Sequence, residues 1–264
     1  MKEVNQSIHI LFPVYNERLR LANGIERTVA YLRKHVRLPY HLTILDNGSE
    51  DETPEIGKAL AVKYPEVAYI RVDERGVGAA FRKGIAINND SLVGYMDIDL
   101  STDIRHLKQV ITLFERRPKL QYINGTRFSR QSDTSGRRWY RKLTSWGLVL
   151  LLKVFFKMRA TDAICGFTFI RKETAEALVA SASKDNGWFY MIELLLRAEK
   201  SGVAIYDMPV VWQEDYNTTV KISKTMINYI IRMCRLKKLF REEERKRRLR
   251  GKASRNIRMK RQGY

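Results

Sequence analysis

Asp97 and Asp99, one residue apart, close the apolar run 92–96, and no other pattern in the chain is better suited to chemistry. The run reads as a buried strand, and alternation along an extended backbone turns both carboxylates to the same side. In an open α/β sheet, ligands bind at the carboxyl ends of the strands. Two acidic oxygen donors with little else suit a hard cation such as Mg²⁺ or Mn²⁺, which keeps waters and bridges substrate phosphates. An isolated Asp-x-Asp is also an ordinary solvated turn, so its meaning depends on the segments that surround it.

Those segments alternate. Strands at 7–13, 41–45, 67–72 and 92–96 are separated by helical patterns at 17–35, 52–64 and 77–88, and another helical pattern follows at 103–116. Such alternation predicts an α/β fold: a mostly parallel sheet flanked by helices, with right-handed crossovers. Four segments then fall on one sheet edge: Pro13-Val14-Tyr15-Asn16-Glu17, Asp46-Asn47-Gly48-Ser49, Arg75-Gly76-Val77-Gly78 and the Asp97/Asp99 pair. The second half predicts strands at 120–126, 165–171 and 203–212 and helices at 139–158, 172–182 and 188–200, with a polar basic loop at 127–138. From residue 222 a basic amphipathic helix carries Met226, Ile230, Met233 and Leu236 on one side and runs into a charge-rich end that predicts fraying. Residues 1–221 form the expected domain, and 222–264 a basic helix and tail.

In this order and spacing, Pro-Val-Tyr-Asn-Glu, Asp-Asn-Gly-Ser-x-Asp-x-Thr, Gly-x-Gly-Ala and Asp-x-Asp-Leu resemble the inverting family 2 glycosyltransferases of GT-A fold. Gly125-Thr126-Arg127, Arg141-Lys142-Leu143-Thr144 and Asp162-Ala163-Ile164-Cys165-Gly166-Phe167 are similar to motifs of the subgroup that makes dolichyl- and other polyprenyl-phosphate sugars. The resemblance covers residues 7–222. It implies a metal-dependent enzyme that moves a hexose from a UDP- or GDP-sugar to a polyprenyl phosphate. It also implies that Pro13, Tyr15, Glu17, Asp46 and Asp97 lie near the nucleoside, with Asp97 and Asp99 at Mg²⁺ or Mn²⁺. Gly76 and Gly78 would let the backbone approach the nucleotide-sugar closely, Lys221 would serve the diphosphate, Glu193 the sugar, and Arg127 and Arg141 the acceptor phosphate.

Plainer readings stand beside several of these. Glu17 also fits as a first-turn acid facing a helix dipole, Gly76-x-Gly78 as a loop-to-helix turn, and Glu193 as a helix surface charge. Asp46 at a strand end can hold a base edge, whereas Asn47-Gly48-Ser49 makes a sound turn. Ser101 stands where mannose-synthase relatives carry a Gln that helps the metal, and Ser101-Thr102-Asp103 reads as a helix N-cap. Thr218-Thr219-Val220-Lys221 stands where relatives place a Ser-Lys or Ser-Arg pair, so the cation is displaced.

The acceptor can also be argued from chemistry. A hydroxyl acceptor needs a base, whereas a phosphate oxygen is already anionic and needs cations that hold two anions together. Arg127, Arg130, Arg137, Arg138 and Arg141 follow the sheet where an acceptor would enter, and guanidinium binds phosphate bidentately. The Gln-x-x-Arg-Trp motif of processive polysaccharide synthases is absent from the sequence. Transfer to a glycan hydroxyl on the same fold is the alternative.

Formal net charge is +20, of which residues 221–264 carry +14, so the basic character points to a partner surface. Residues 139–158 and 222–240 combine apolar faces with Lys and Arg, as interfacial helices do. The expectation is a peripheral protein on an anionic membrane surface at the cytoplasmic face. A nucleic-acid grip by the tail is the competing class, without a recognisable module to support it. Two cysteines, Cys165 and Cys234, suggest neither a disulfide framework nor a zinc site and fit a reducing compartment. No apolar run is long enough to span a bilayer.

Overall fold

The computed structural model describes residues 6–136, 138–213 and 222–262. Lys221, Arg137 and the side chain of Met226 lie outside the described residues. In chain order the elements are β1 (Ile8–Val14), α1 (Leu21–His35), β2 (Tyr40–Asp46), α2 (Thr53–Lys63), β3 (Val67–Arg71), α3 (Val77–Ile87), β4 (Leu92–Met96) and α4 (His106–Arg116). They continue with β5 (Tyr122–Thr126), α5 (Trp139–Phe156), β6 (Phe167–Arg171), α6 (Lys172–Ser181), α7 (Phe189–Lys200), β7 (Ile205–Pro209) and α8 (Ile222–Gln262). One sheet in the order β3-β2-β1-β4-β6-β5-β7 holds all seven strands.

The first four strands are parallel, and the order turns back on itself between β1 and β4. A crevice at the carboxyl ends follows from that reversal. β6 runs antiparallel to both β4 and β5, while β5 and β7 are parallel. Because of that one reversed strand, the start of β6 lies beside the end of β4, with Phe167 opposite Met96. Alternation along β1 sends Leu11 to one face of the sheet and Ile8, Ile10 and Phe12 to the other. The Leu11 face is covered by α3, α5, α6, α7 and α8; the opposite face by α1, α2 and α4.

Three differences from the sequence expectation have a visible physical cause. The first helix begins at Leu21, because Asn16 takes a left-handed φ of 54° and the Glu17 carbonyl accepts from Arg20 and Leu21 in a closing turn. The fourth begins at His106, and residues 101–103 do not cap it: Thr102 bridges to Trp212, and the Asp103 amide donates to Val211. The last helix continues through its charge run to Gln262. Glu242, Glu243 and Glu244 precede basic residues by four positions there, the orientation that supports a helix. Its inner stripe also differs: Met233, Leu236 and Phe240 are buried, whereas Ile230 is exposed. One face of α8 over residues 233–240 is therefore part of the core.

Candidate active site

An open cleft of about 510 Å³ lies at the switch point, within the range of small-molecule and cofactor sites. Its walls come from Pro13 in β1, Tyr15 and Glu17 after it, Asn47 after β2, Arg75 and Gly76 before α3, Asp97 and Asp99 after β4, and Arg141 on α5. Arg20, Ser101, Trp188 and Trp212 complete them. Segments far apart in sequence thus share one rim, as parallel strands with their loops on the same edge require.

Asp97 sits deepest. Its Oδ1 accepts a hydrogen bond of 2.8 Å from the Tyr95 hydroxyl, and its amide donates to the Gly166 carbonyl at 3.1 Å. The carboxylate lies directly over Gly166, where any Cβ would run into it. Burial, followed by the nearby charge of Asp99, pushes its pKa up to about 7, while the Tyr95 hydrogen bond pulls the other way. Asp99 is partly exposed, and its Oδ1 accepts from the Ser101 amide at 2.9 Å. Asp97, disfavoured as an anion by burial and by its acidic neighbour, forms with Asp99 a donor pair that a hard dication satisfies. Among the described residues no third His, Cys, Asp or Glu joins them, so further ligands fall to phosphate oxygens and water. The Ser101 hydroxyl is buried beside them without a hydrogen-bond partner among the described residues.

Tyr15 is 38% exposed, with the Arg75 guanidinium 4.2 Å over its ring and donating to its hydroxyl. Arg75 also bonds Glu50 at 2.7 Å. Glu17 precedes α1 rather than occupying its first turn, and its carboxylate meets Arg20 at 3.0 Å. Arg141 lies in the first turn of α5 and lines the cleft.

Four expected site residues sit elsewhere. Asp46 is fully buried: its Oδ1 accepts from the Ser49 amide at 2.8 Å and its Oδ2 from the Tyr69 hydroxyl at 2.6 Å. It shapes the loop after β2, and Asn47 lines the cleft instead. Arg127 is buried too, in a two-pronged pair with Asp162 at 2.8 and 3.1 Å, and does not line the cleft. The same guanidinium holds the Asp162 carboxyl below its usual range against the opposing effect of burial. Gly78 is walled off by the Asp185 carbonyl and Tyr190. Gly76 lines the cleft with φ 124°, but the backbone it approaches is Asn186, not a ligand. Glu193 lies in the core, accepting from Arg197 at 2.7 Å and from the Ser183 amide at 2.9 Å. Arg130 and Arg138 are exposed outside the cleft lining.

The Glycosyl transferase family 2 model matches residues 9–179, well over half of the chain. The chain belongs to glycosyl transferase family 2. Within and around this family it is 30% identical over 225 residues to glycosyltransferase AglD of Haloferax volcanii, covering 83% of this chain and 35% of AglD. It is 22% identical over 241 residues to a dolichyl-phosphate beta-glucosyltransferase of Dictyostelium discoideum, covering 84% of this chain and 73% of that protein. The chain thus spans about a third of AglD and about three quarters of the Dictyostelium protein. The fold is shared with mannosyl-3-phosphoglycerate synthase of Rubrobacter xylanophilus (TM-score 0.70, 16% identity, 92% of this chain and 76% of that one). It is shared also with glucosyl-3-phosphoglycerate synthase of Mycobacterium tuberculosis in complex with Mn²⁺ and UDP-glucose (TM-score 0.64, 16% identity, 87% and 79%).

Family membership accounts for the strand-end motifs. What the motifs left unread are Arg20, Trp188 and Trp212, which no motif contains; Asn47 stands in the motif after β2, where the sequence favoured Asp46 instead. Trp188, 51% exposed, stands at the N-terminus of α7.

Proposed function

We propose that this chain transfers a hexose, with inversion, from a UDP- or GDP-sugar to the phosphate of a polyprenol. The observation that carries the acceptor class is the cleft's charge arrangement. Its acids among the described residues are Glu17, Asp97 and Asp99, and Glu17 is paired with Arg20. With Glu193 withdrawn into the core, the acceptor side presents Arg141 rather than a carboxylate suited to act as a base. A phosphate acceptor needs no base: its oxygen forms the new bond to the anomeric carbon as the bond to the nucleoside diphosphate breaks, and no proton moves. The diphosphate leaves with the electron pair.

Tyr15 and Asn47 flank the nucleoside in this reading, and Arg141 holds the incoming phosphate beside the donor. Asp97 and Asp99 would hold Mg²⁺ or Mn²⁺. Such an ion, when bound, offsets charge building on the departing diphosphate. Asp46 and Arg127 act at one remove, by fixing the loops that carry Asn47 and Gly166.

The acceptor's long lipid requires a membrane, and a peripheral position suits the chain. No helix among the described residues is long and apolar enough to cross a bilayer. Support for peripheral contact comes from Trp139, Leu143, Trp146, Leu150 and Val154, all exposed at three- and four-residue spacing on α5. One helical face therefore carries the stripe, and Arg141 stands on the same helix.

The decisive experiment supplies UDP- and GDP-hexoses with a short-chain polyprenyl phosphate and, separately, with glycan hydroxyl acceptors. Lipid-phosphate-linked sugar is the expected product; products on hydroxyl acceptors alone would overturn the reading. Asp99→Ala should lower transfer on the order of 100-fold or more while the melting temperature holds.

A further inference from the structure

A second cavity, of about 360 Å³, opens between the end of α5, α7 and α8, away from the cleft. Five cations and two carboxylates border it, over a floor that includes Phe155 and Phe240. Both carboxylates are engaged. Glu199 accepts from the backbone amides of Arg159 and Ala160 at 2.9 and 2.6 Å, and Glu244 pairs with Lys200 at 2.9 Å. Lys157, Arg159, Lys237 and Arg241 are left with no carboxylate partner among the described residues. Lys237 lies 4.8 Å over the Phe155 ring. Lys157 takes the left-handed position that ends α5, with φ 56°, where glycine is the usual choice. Backbone strain at a lysine whose side chain borders the cavity puts a cation there at some cost.

We infer that this cavity binds the phosphate headgroup of an anionic membrane lipid. Four unpaired cations around one hollow repel each other until an anion neutralises them. The aromatic floor suits the apolar part of a headgroup and its glycerol. Continuity with α5 identifies the source of the phosphate: Lys157 follows Val154, the last residue of the exposed apolar stripe, at the same helical spacing. A bilayer lying along that stripe brings headgroups to the cavity mouth. The inference rests on the membrane-contact part of the proposed function, but not on the identity of the sugar acceptor.

The test is flotation of the full chain with phosphatidylcholine vesicles, with and without phosphatidylglycerol. Compared are the wild type, a variant with Lys157, Arg159, Lys237 and Arg241 all changed to Gln, and a charge-matched control with Lys58, Lys108, Arg116 and Lys119 changed to Gln. The cavity variant is expected to lose binding to anionic vesicles on the order of tenfold or more, with the control within about twofold of wild type. Equal losses in the two variants would mean diffuse charge attraction, and wild-type binding by the cavity variant would mean no site; either overturns the inference. Competition by millimolar glycerol phosphate for the wild type, absent in the cavity variant, would support it. Transfer to a short, soluble acceptor should be unchanged in both variants. A protein with no transfer at all refutes the acceptor reading while leaving the vesicle result to stand on its own.

Discussion

Two arginines that look alike in sequence have different tasks in the fold. Arg127 is buried against Asp162, whereas Arg141 borders the cleft. Removing the guanidinium in Arg127→Ala strands a buried carboxylate, a loss of about 3–5 kcal/mol that a denaturant melt will register along with lower activity. Arg141→Ala should leave the melt near wild type and raise the KM for the acceptor phosphate. Equal melting behaviour of the two variants would refute this division. Gly166→Ala makes a third case. Its methyl would displace the Asp97 carboxylate, so transfer is expected to fall and its requirement for divalent metal to rise while the fold survives.

At the scale of elements, β6 sets the site's depth. Being antiparallel, it delivers Gly166 to Asp97, and the Arg127–Asp162 pair anchors the loop that leads into it. The loop before α7 plays the matching part on the other wall. Asp185 and Asn186 accept from Arg82, the Asn186 carbonyl accepts from Gly78, and Arg232 on α8 pairs with Asp185. Trp188, at the end of that loop, reaches the cleft. Two glycines separate packing from propensity. Gly78→Ala would collide with the Asp185 carbonyl and should lower the melting temperature. At Gly147, inside α5, a methyl meets nothing within 4 Å, so Gly147→Ala should stabilise by roughly 0.5–1 kcal/mol through lost chain freedom.

For the whole molecule, a buried histidine adds a pH dependence. His9 on β1 contacts the Asn88 side chain at 3.1 Å and the Thr43 hydroxyl at 2.7 Å, tying three segments of the parallel half together. Burial lowers its pKa below the usual 6.5, against weaker opposing effects from Asn88 and Asp90. The unfolded chain therefore binds the proton at higher pH than the folded one. Stability contributed by the neutral ring is present above the unfolded value and declines as pH falls below about 6.5. Asp97, whose raised pKa contributes the opposite slope in this window, is common to wild type and His9→Gln, so the His9 contribution is read as a difference. Unfolding titrations of the two proteins between pH 5 and 7 should differ in slope by up to about one proton. An unchanged slope in that variant would assign the pH dependence to other groups.

Alternation of apolar runs and the order of short motifs were enough to determine the α/β class, the family and the edge of the sheet where ligands gather. They were enough because parallel βα units put every strand's carboxyl end on one side, so local pattern already carries long-range position. The Asp97/Asp99 pair and Tyr15 are of this kind. Which polar residues face the cleft and which are consumed inside was decided only by tertiary packing. Asp46, Arg127 and Glu193 carry the residue types a site needs, yet partners 23, 35 and 10 positions away (Tyr69, Asp162 and Ser183) claim them. Burial demands that every charge be paired, and the identity of the partner is a property of the folded arrangement, not of the motif in which the residue stands.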